Sequence, residues 1–98
     1  MRQKTKAVIL DSKDNVGVAL MDLKSGIELD LRVSGQVIHM KLVEPIPYQH
    51  KFSITHIGSG SKIIKDSVVI GEATQDIKQG QHIHVHNMTS LRVKAIKK

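Results

Sequence analysis

His82, His84 and His86 alternate with Ile83 and Val85. In an extended strand, alternate residues share a face, so this spacing predicts three imidazoles on one side and two aliphatic side chains on the other. Same-face neighbours lie about 6.6 Å apart, close enough for two imidazoles to converge on one metal ion. A zinc-like site wants a third or fourth ligand. His50, His39, His56 or a residue of another chain are the candidates for it. The plainer alternative is a polar, solvent-facing strand that happens to use histidine. A second candidate is the dipeptide His50-Lys51, a group that titrates near neutrality beside a fixed cation. The imidazole can move protons, and the ammonium can pair with a substrate carboxylate.

Other chemistries are excluded. The chain has no Cys, so it has no disulfide framework, no thiolate metal site and no Cys nucleophile. It contains no Ser-His-Asp order, P-loop, Rossmann glycine fingerprint or His-Glu-x-x-His motif. Asp11, Asp14, Asp22 and Asp76 sit in turn-like contexts and read as turn residues.

The elements that must position these groups are strands. Ile and Val number 22 against 7 Leu, a β-branched excess that predicts a mainly β chain. Ile27, Leu29, Leu31 and Val33 alternate with Glu28, Asp30 and Arg32, and Gln36 to Val43 repeats the pattern after Ser34-Gly35. Together they predict a hairpin. Val16 to Leu20, Val68 to Ala73, Gln81 to Asn87 and Leu91 to Ile96 are further predicted strands, with room for a single helical turn near Leu91. One turn pattern recurs three times: Asp22-Leu23-Lys24-Ser25-Gly26, His56-Ile57-Gly58-Ser59-Gly60 and Asp76-Ile77-Lys78-Gln79-Gly80. The apolar residue plugs the core, and the Gly takes a positive φ in a tight bend. Both prolines lie in Glu44-Pro45-Ile46-Pro47-Tyr48-Gln49-His50-Lys51, a stiff loop carried by the sheet.

The net charge of +6 is concentrated at the ends. Arg2, Lys4, Lys6, Arg92, Lys94, Lys97 and Lys98 are terminal, and the body from 7 to 91 carries 8 basic against 9 acidic residues. Basic tails without a nucleic-acid motif read as solvated ends. With one Tyr, one Phe and no Trp, there are too few aromatic rings to stack along a single strand. The longest apolar runs, such as Ala7 to Leu10, are four residues, far short of the roughly 20 a membrane helix needs. The expectation is one cytoplasmic domain, 1–98, with a core of about 7–88, basic tails at 1–6 and 92–98, and no nucleic-acid or membrane partner.

Four short segments then fall in a known order. Asp14-Asn15-Val16-Gly17-Val18-Ala19-Leu20 with Asp22-Leu23-Lys24-Ser25-Gly26 resembles the start of the altronate/galactarate dehydratase family. Ile46-Pro47-Tyr48-Gln49-His50-Lys51-Phe52-Ser53 resembles its Ile-Pro-aromatic-Gly-His-Lys-Phe-Ala loop. Ile63-Ile64-Lys65 and the stretch from Val69 to Gly80 resemble its next segment, and His84-Val85-His86-Asn87 its closing His-Val-His-Asn. The resemblance covers about residues 14 to 88. It departs at Gln49, where the family has Gly, and at Asp66-Ser67-Val68, where the family usually has Tyr-Gly-Glu.

The resemblance implies a SAF domain with a β-clip fold, the N-terminal part of enzymes that eliminate water from sugar acids. The family's divalent metal, usually iron, lies in a larger C-terminal domain. Some relatives split the two parts between separate subunits, including a lyase that expels sulfite instead of water. The implied partner is a larger dehydratase-type catalytic subunit, and the implied substrate a sugar acid or a sulfonate. By matching position, His50 becomes an acid/base or orienting group, Lys51 a carboxylate contact, Asn87 a substrate contact, and His84 and His86 a metal ligand or its support. The alternative is a stand-alone SAF module that binds an acidic sugar or a protein without catalysis. Exposed hairpin edges leave a homo-oligomer open as well.

Overall fold

The computed structural model describes residues 5–90, which are all β with no helix. The strands are β1 (Ala7–Val8), β2 (Val16–Ala19), β3 (Glu28–Val33), β4 (Gln36–Lys41), β5 (Lys51–Ser53), β6 (Lys62–Lys65), β7 (Val68–Ala73), β8 (His82–Ile83) and β9 (Met88–Ser90). They form three antiparallel sheets, in the orders β1-β2-β5-β8, β3-β4 and β6-β7-β9. The mainly β expectation holds, as do the hairpin at Ser34-Gly35 and the strand over Val68–Ala73. The predicted strand over Leu91–Ile96 and the helical turn near Leu91 lie outside the described residues.

The recurring turn is the organising unit, and the structure contains four copies. Lys24–Ile27, Pro47–His50, Gly58–Ser61 and Lys78–Gln81 each close with the fourth residue's N–H donating to the first residue's carbonyl, at 3.0–3.3 Å. The third residue of each has a positive φ: Gly26, Gln49, Gly60 and Gly80. That is the requirement of a type II turn. The apolar plugs Leu23 and Ile46 bridge each other, as do Ile57 and Ile77. The turns interlock in the same two pairs. The N–H of Gly26 donates to Leu42 and that of Gln49 to Ala19, while Gly60 donates to Ala73 and Gly80 to Ser53. Asp22 accepts from the Tyr48 N–H and Asp76 from the Ser59 N–H, both at 2.8 Å, so these acids hold the facing turn of each pair.

The four-stranded sheet is the wall between two cores. Gly17, Ala19 and Phe52 point to one side, where Phe52 packs with Ala7, Leu23, Leu29, Leu31, Met40, Leu42 and Ile46. Val16 and Ile83 point to the other, with Ile57, Ile63, Ala73 and Ile77. Each fully buried Ile or Leu here contributes roughly 1.5–3 kcal/mol relative to exposure. Gly17 is needed for close approach, because a Cβ there would meet the Phe52 ring at 2.7 Å. Asp14, buried at 7% exposure, accepts from the N–H groups of Asp66 and Ser67 at 2.9 Å. Those two residues, both at positive φ, form the two-residue turn between β6 and β7. The departure at Asp66-Ser67 is therefore a hairpin turn held from outside by a carboxylate.

One predicted element is corrected. Gln81 to Asn87 is not a single strand: β8 ends at Ile83 and residues 84–87 form a turn. The cause is Asn87, which is fully buried. Its Oδ1 accepts from the His84 N–H at 3.0 Å and its Nδ2 donates to the His82 carbonyl at 2.9 Å. These bonds satisfy the backbone locally and compete with a continued ladder. Ile83 faces the core, but Val85, predicted to share its face, stands 80% exposed at the tip of the turn.

Candidate functional site

The site is made by one strand pairing. β5 and β8 align Phe52 with His82 and Lys51 with Ile83, so the antiparallel register carries His50 to the level of His84. His50 closes the turn that starts at Pro47, and His82 follows directly on the turn that starts at Lys78. Two turns, one from each interlocked pair, thus deliver their outgoing residues to one place. The His50 and His84 rings stack with centroids 4.9 Å apart and planes 11° apart. His82 lies 5.0 Å from His50, 5.6 Å from His84 and 5.7 Å from His86, which makes it the hub. His50 Nδ1 and His82 Nε2 share a hydrogen bond of 2.8 Å, so one ring holds the proton and the other accepts it. His39 and His56, offered as further ligands, make no ring contact with this cluster. His39 sits on β4, bonded to Asp30 at 2.6 Å and 3.4 Å from Glu28.

The electrostatics follow burial and crowding. Burial lowers the pKa of His82, the positive charge of protonated His50, His84 or His86 lowers it further, and Glu44 opposes the shift. Glu44 also accepts the His82 backbone N–H at 2.9 Å, tying the proline-containing loop to β8. Exposed His39 moves the opposite way, raised first by its bond to Asp30. Lys51 is half-buried, and its pKa is lowered by that burial and then by Lys65. Among the described residues, no carboxylate lies within ion-pairing distance of Lys51.

His50 and Lys51, adjacent in sequence, face opposite sides of the strand. Strand alternation turns Lys51 to the side of Val18 and Ile83, opposite Phe52 and His82. The imidazoles and the ammonium therefore present two faces of β5. His84 and His86 both lie in the turn after β8, with His86 5.7 Å from the His82 ring. Among the described residues, no group of three His, Asp or Glu is placed to hold a metal ion. His84 stacks on both His50 and His82, while His82 meets His50 and His86 at tilted angles, and His50 and His82 use one nitrogen each on the other. Asn87 lies fully buried beneath the turn and shapes the loop through its bonds to the His84 N–H and the His82 carbonyl. The sequence reading missed Glu44 and the central place of His82. Glu44 precedes a proline, which favours an extended conformation and is its only local signal.

Interlocked glycine turns, short sheets folded over two cores and a surface cluster of histidines define a β-clip of the SAF type. The chain belongs to the altronate/galactarate dehydratase SAF domain family, whose pattern matches residues 5–91. It is 34% identical over 91 residues to the (2R)-sulfolactate sulfo-lyase subunit alpha of Chromohalobacter salexigens, covering 87% of this chain and 94% of that one. It is 40% identical over 74 residues to the altronate dehydratase of Escherichia coli and 35% over 78 residues to that of Bacillus subtilis. Those matches take in 76% and 80% of this chain but only 14% and 15% of the dehydratases.

Proposed function

We propose that this chain is the small subunit of a metal-dependent lyase that eliminates water, or a leaving group such as sulfite, from an acidic substrate of the sugar-acid type. It contributes its histidine face to substrate binding and proton handling. The observation that carries this reading is the β5–β8 register, which stacks His50 of the family-like loop on His84 of the closing motif, with His82 between. The family membership and the near full-length likeness to a lyase alpha subunit support the same class.

In a β-elimination, a base removes the proton α to a carboxylate and an acid helps the leaving group depart. Burial favours the neutral form of His82, which shares a hydrogen bond with His50. A proton taken up by His50 is thereby shared with a second ring before release. Lys51 serves an acidic group that approaches from the other face of β5. The divalent metal, iron by family resemblance, belongs in this reading to the larger partner.

The test is to purify the tagged chain with its partner from the source cells and to assay sugar acids and sulfonates. In that complex, His50→Ala and His84→Ala should lower kcat about 100-fold or more without dissolving the complex. Unchanged turnover would overturn the histidine roles, and recovery of the chain with no partner and no turnover would leave the stand-alone binding module in place of the lyase reading.

A further inference from the structure

The histidine cluster lies on open surface. Two hollows of the described residues lie elsewhere: one of about 410 Å³ runs along Thr5–Ile9 and Glu28–Arg32, and the other is lined by Ser59, Gly60, Ala73 and Thr89 among others. Small-substrate sites are concave and exclude water, so a face of this kind is one wall of a site. Its border is apolar. Val85, 80% exposed, stands between His84 and His86 at the tip of their turn. Tyr48, 54% exposed, sits two residues before His50 in the turn that delivers it. Val43, 53% exposed, precedes Glu44, and its N–H donates to Gly80, two residues before His82. Three exposed apolar side chains thus sit on, or are bonded to, the segments that carry the four imidazoles, a combination suited to an interface with a polar centre sealed from water.

Resting on the lyase reading above, we propose that this face, with Val85, Tyr48 and Val43 as its apolar rim, is the docking surface for the larger catalytic chain. The histidines are then enclosed at the junction. The occupant is argued from chain length. The altronate dehydratases match this chain over 14–15% of their length and carry the rest on the same polypeptide, whereas the sulfo-lyase alpha subunit matches over 94% of its own. On the lyase reading, by this chain's likeness to that subunit, the large part is a second chain met across a surface. Of the eight exposed large apolar side chains among the described residues, the most exposed, Val85, stands between His84 and His86, and Tyr48 lies in the turn that delivers His50.

The absence of Cys allows a clean test by single-cysteine labelling. Val85→Cys, Tyr48→Cys and, as a control at the tip of the β3–β4 hairpin, Val37→Cys are each labelled with a maleimide. Labelling is done in the isolated chain and in the complex purified from the source cells. The expected result is at least tenfold slower labelling at 85 and 48 in the complex, with no change at 37. Val85→Asp should also release the larger chain while leaving the melting temperature of the isolated chain unchanged. Equal labelling at 85 and 48 in a stoichiometric, active complex would overturn the docking face and leave the lyase reading standing. Protection that appears in the isolated chain on concentration would assign the face to a second copy and overturn the proposal. Recovery of the chain without any larger partner would overturn both.

Discussion

Replacing Gln49 with glycine should stabilise the protein. Gln49 occupies the third position of its turn at φ 71°, where the three equivalent turns have Gly26, Gly60 and Gly80 at φ 86–89°. A side chain in this left-handed region costs about 1–2 kcal/mol. Glycine removes that cost but adds freedom to the unfolded chain worth about 0.4–1 kcal/mol. The net gain for Gln49→Gly is about 0.5–1 kcal/mol, a rise in Tm of about 2–8 °C for a domain this size. Two reverse substitutions calibrate the argument. At Gly26, an added Cβ meets nothing within 4 Å, so Gly26→Ala loses only the conformational term, about 1 kcal/mol. At Gly80, an added Cβ collides with the Lys41 carbonyl oxygen, so Gly80→Ala costs about 3 kcal/mol or more. Urea unfolding of the three variants, with unchanged m-values, measures all three terms. A destabilised Gln49→Gly, or equal losses at 26 and 80, would refute the account of the turns.

Asn87→Ala should cost about 2–4 kcal/mol, because it strands the His82 carbonyl and the His84 N–H under the loop; thermal melting and loss of the ordered His84 amide signal check it. Asp14→Ala should cost about 1–3 kcal/mol by releasing the Asp66 and Ser67 N–H groups, and amide exchange should quicken first at that hairpin. In an NMR titration, His82 should titrate below its ordinary 6.5 and His39 above it. The linkage has opposite signs at the two residues. For His82, the unfolded chain holds the proton more tightly, so its contribution to stability is lost as pH falls below 6.5 and levels off under the lowered folded value. For His39, any contribution is present below 6.5 and lost as pH rises through its raised folded value, and His39→Gln removes that slope alone. Swapped titration positions would contradict both assignments.

Much of the fold is local and could be read from the chain. Alternation over Ile27–Val33 and Gln36–Val43 declares a half-buried hairpin because burial of one face fixes the period. Three of the four turns announce themselves because positive φ is most cheaply met by glycine. The fourth stays hidden for the same reason: Gln49 takes the conformation without the residue that signals it, and the flanking prolines suggest a plain loop. The end of β8 was also illegible, since the period-2 pattern of His82 to His86 predicts a strand. The long-range burial of Asn87 decides otherwise.

The histidine site divides along the same line. The sequence by itself supplied the imidazoles, the stiff loop and the family likeness, all properties of residues near one another in the chain. Only the tertiary structure decided which of them meet. The β5–β8 register joins residues about thirty positions apart, and it is set by two cores packed on either side of one sheet rather than by either strand alone. That register brings His50 onto His84 and leaves out His39 and His56. The pleat then turns Lys51 to the far face from the histidine it follows, because neighbours in a strand cannot share a side.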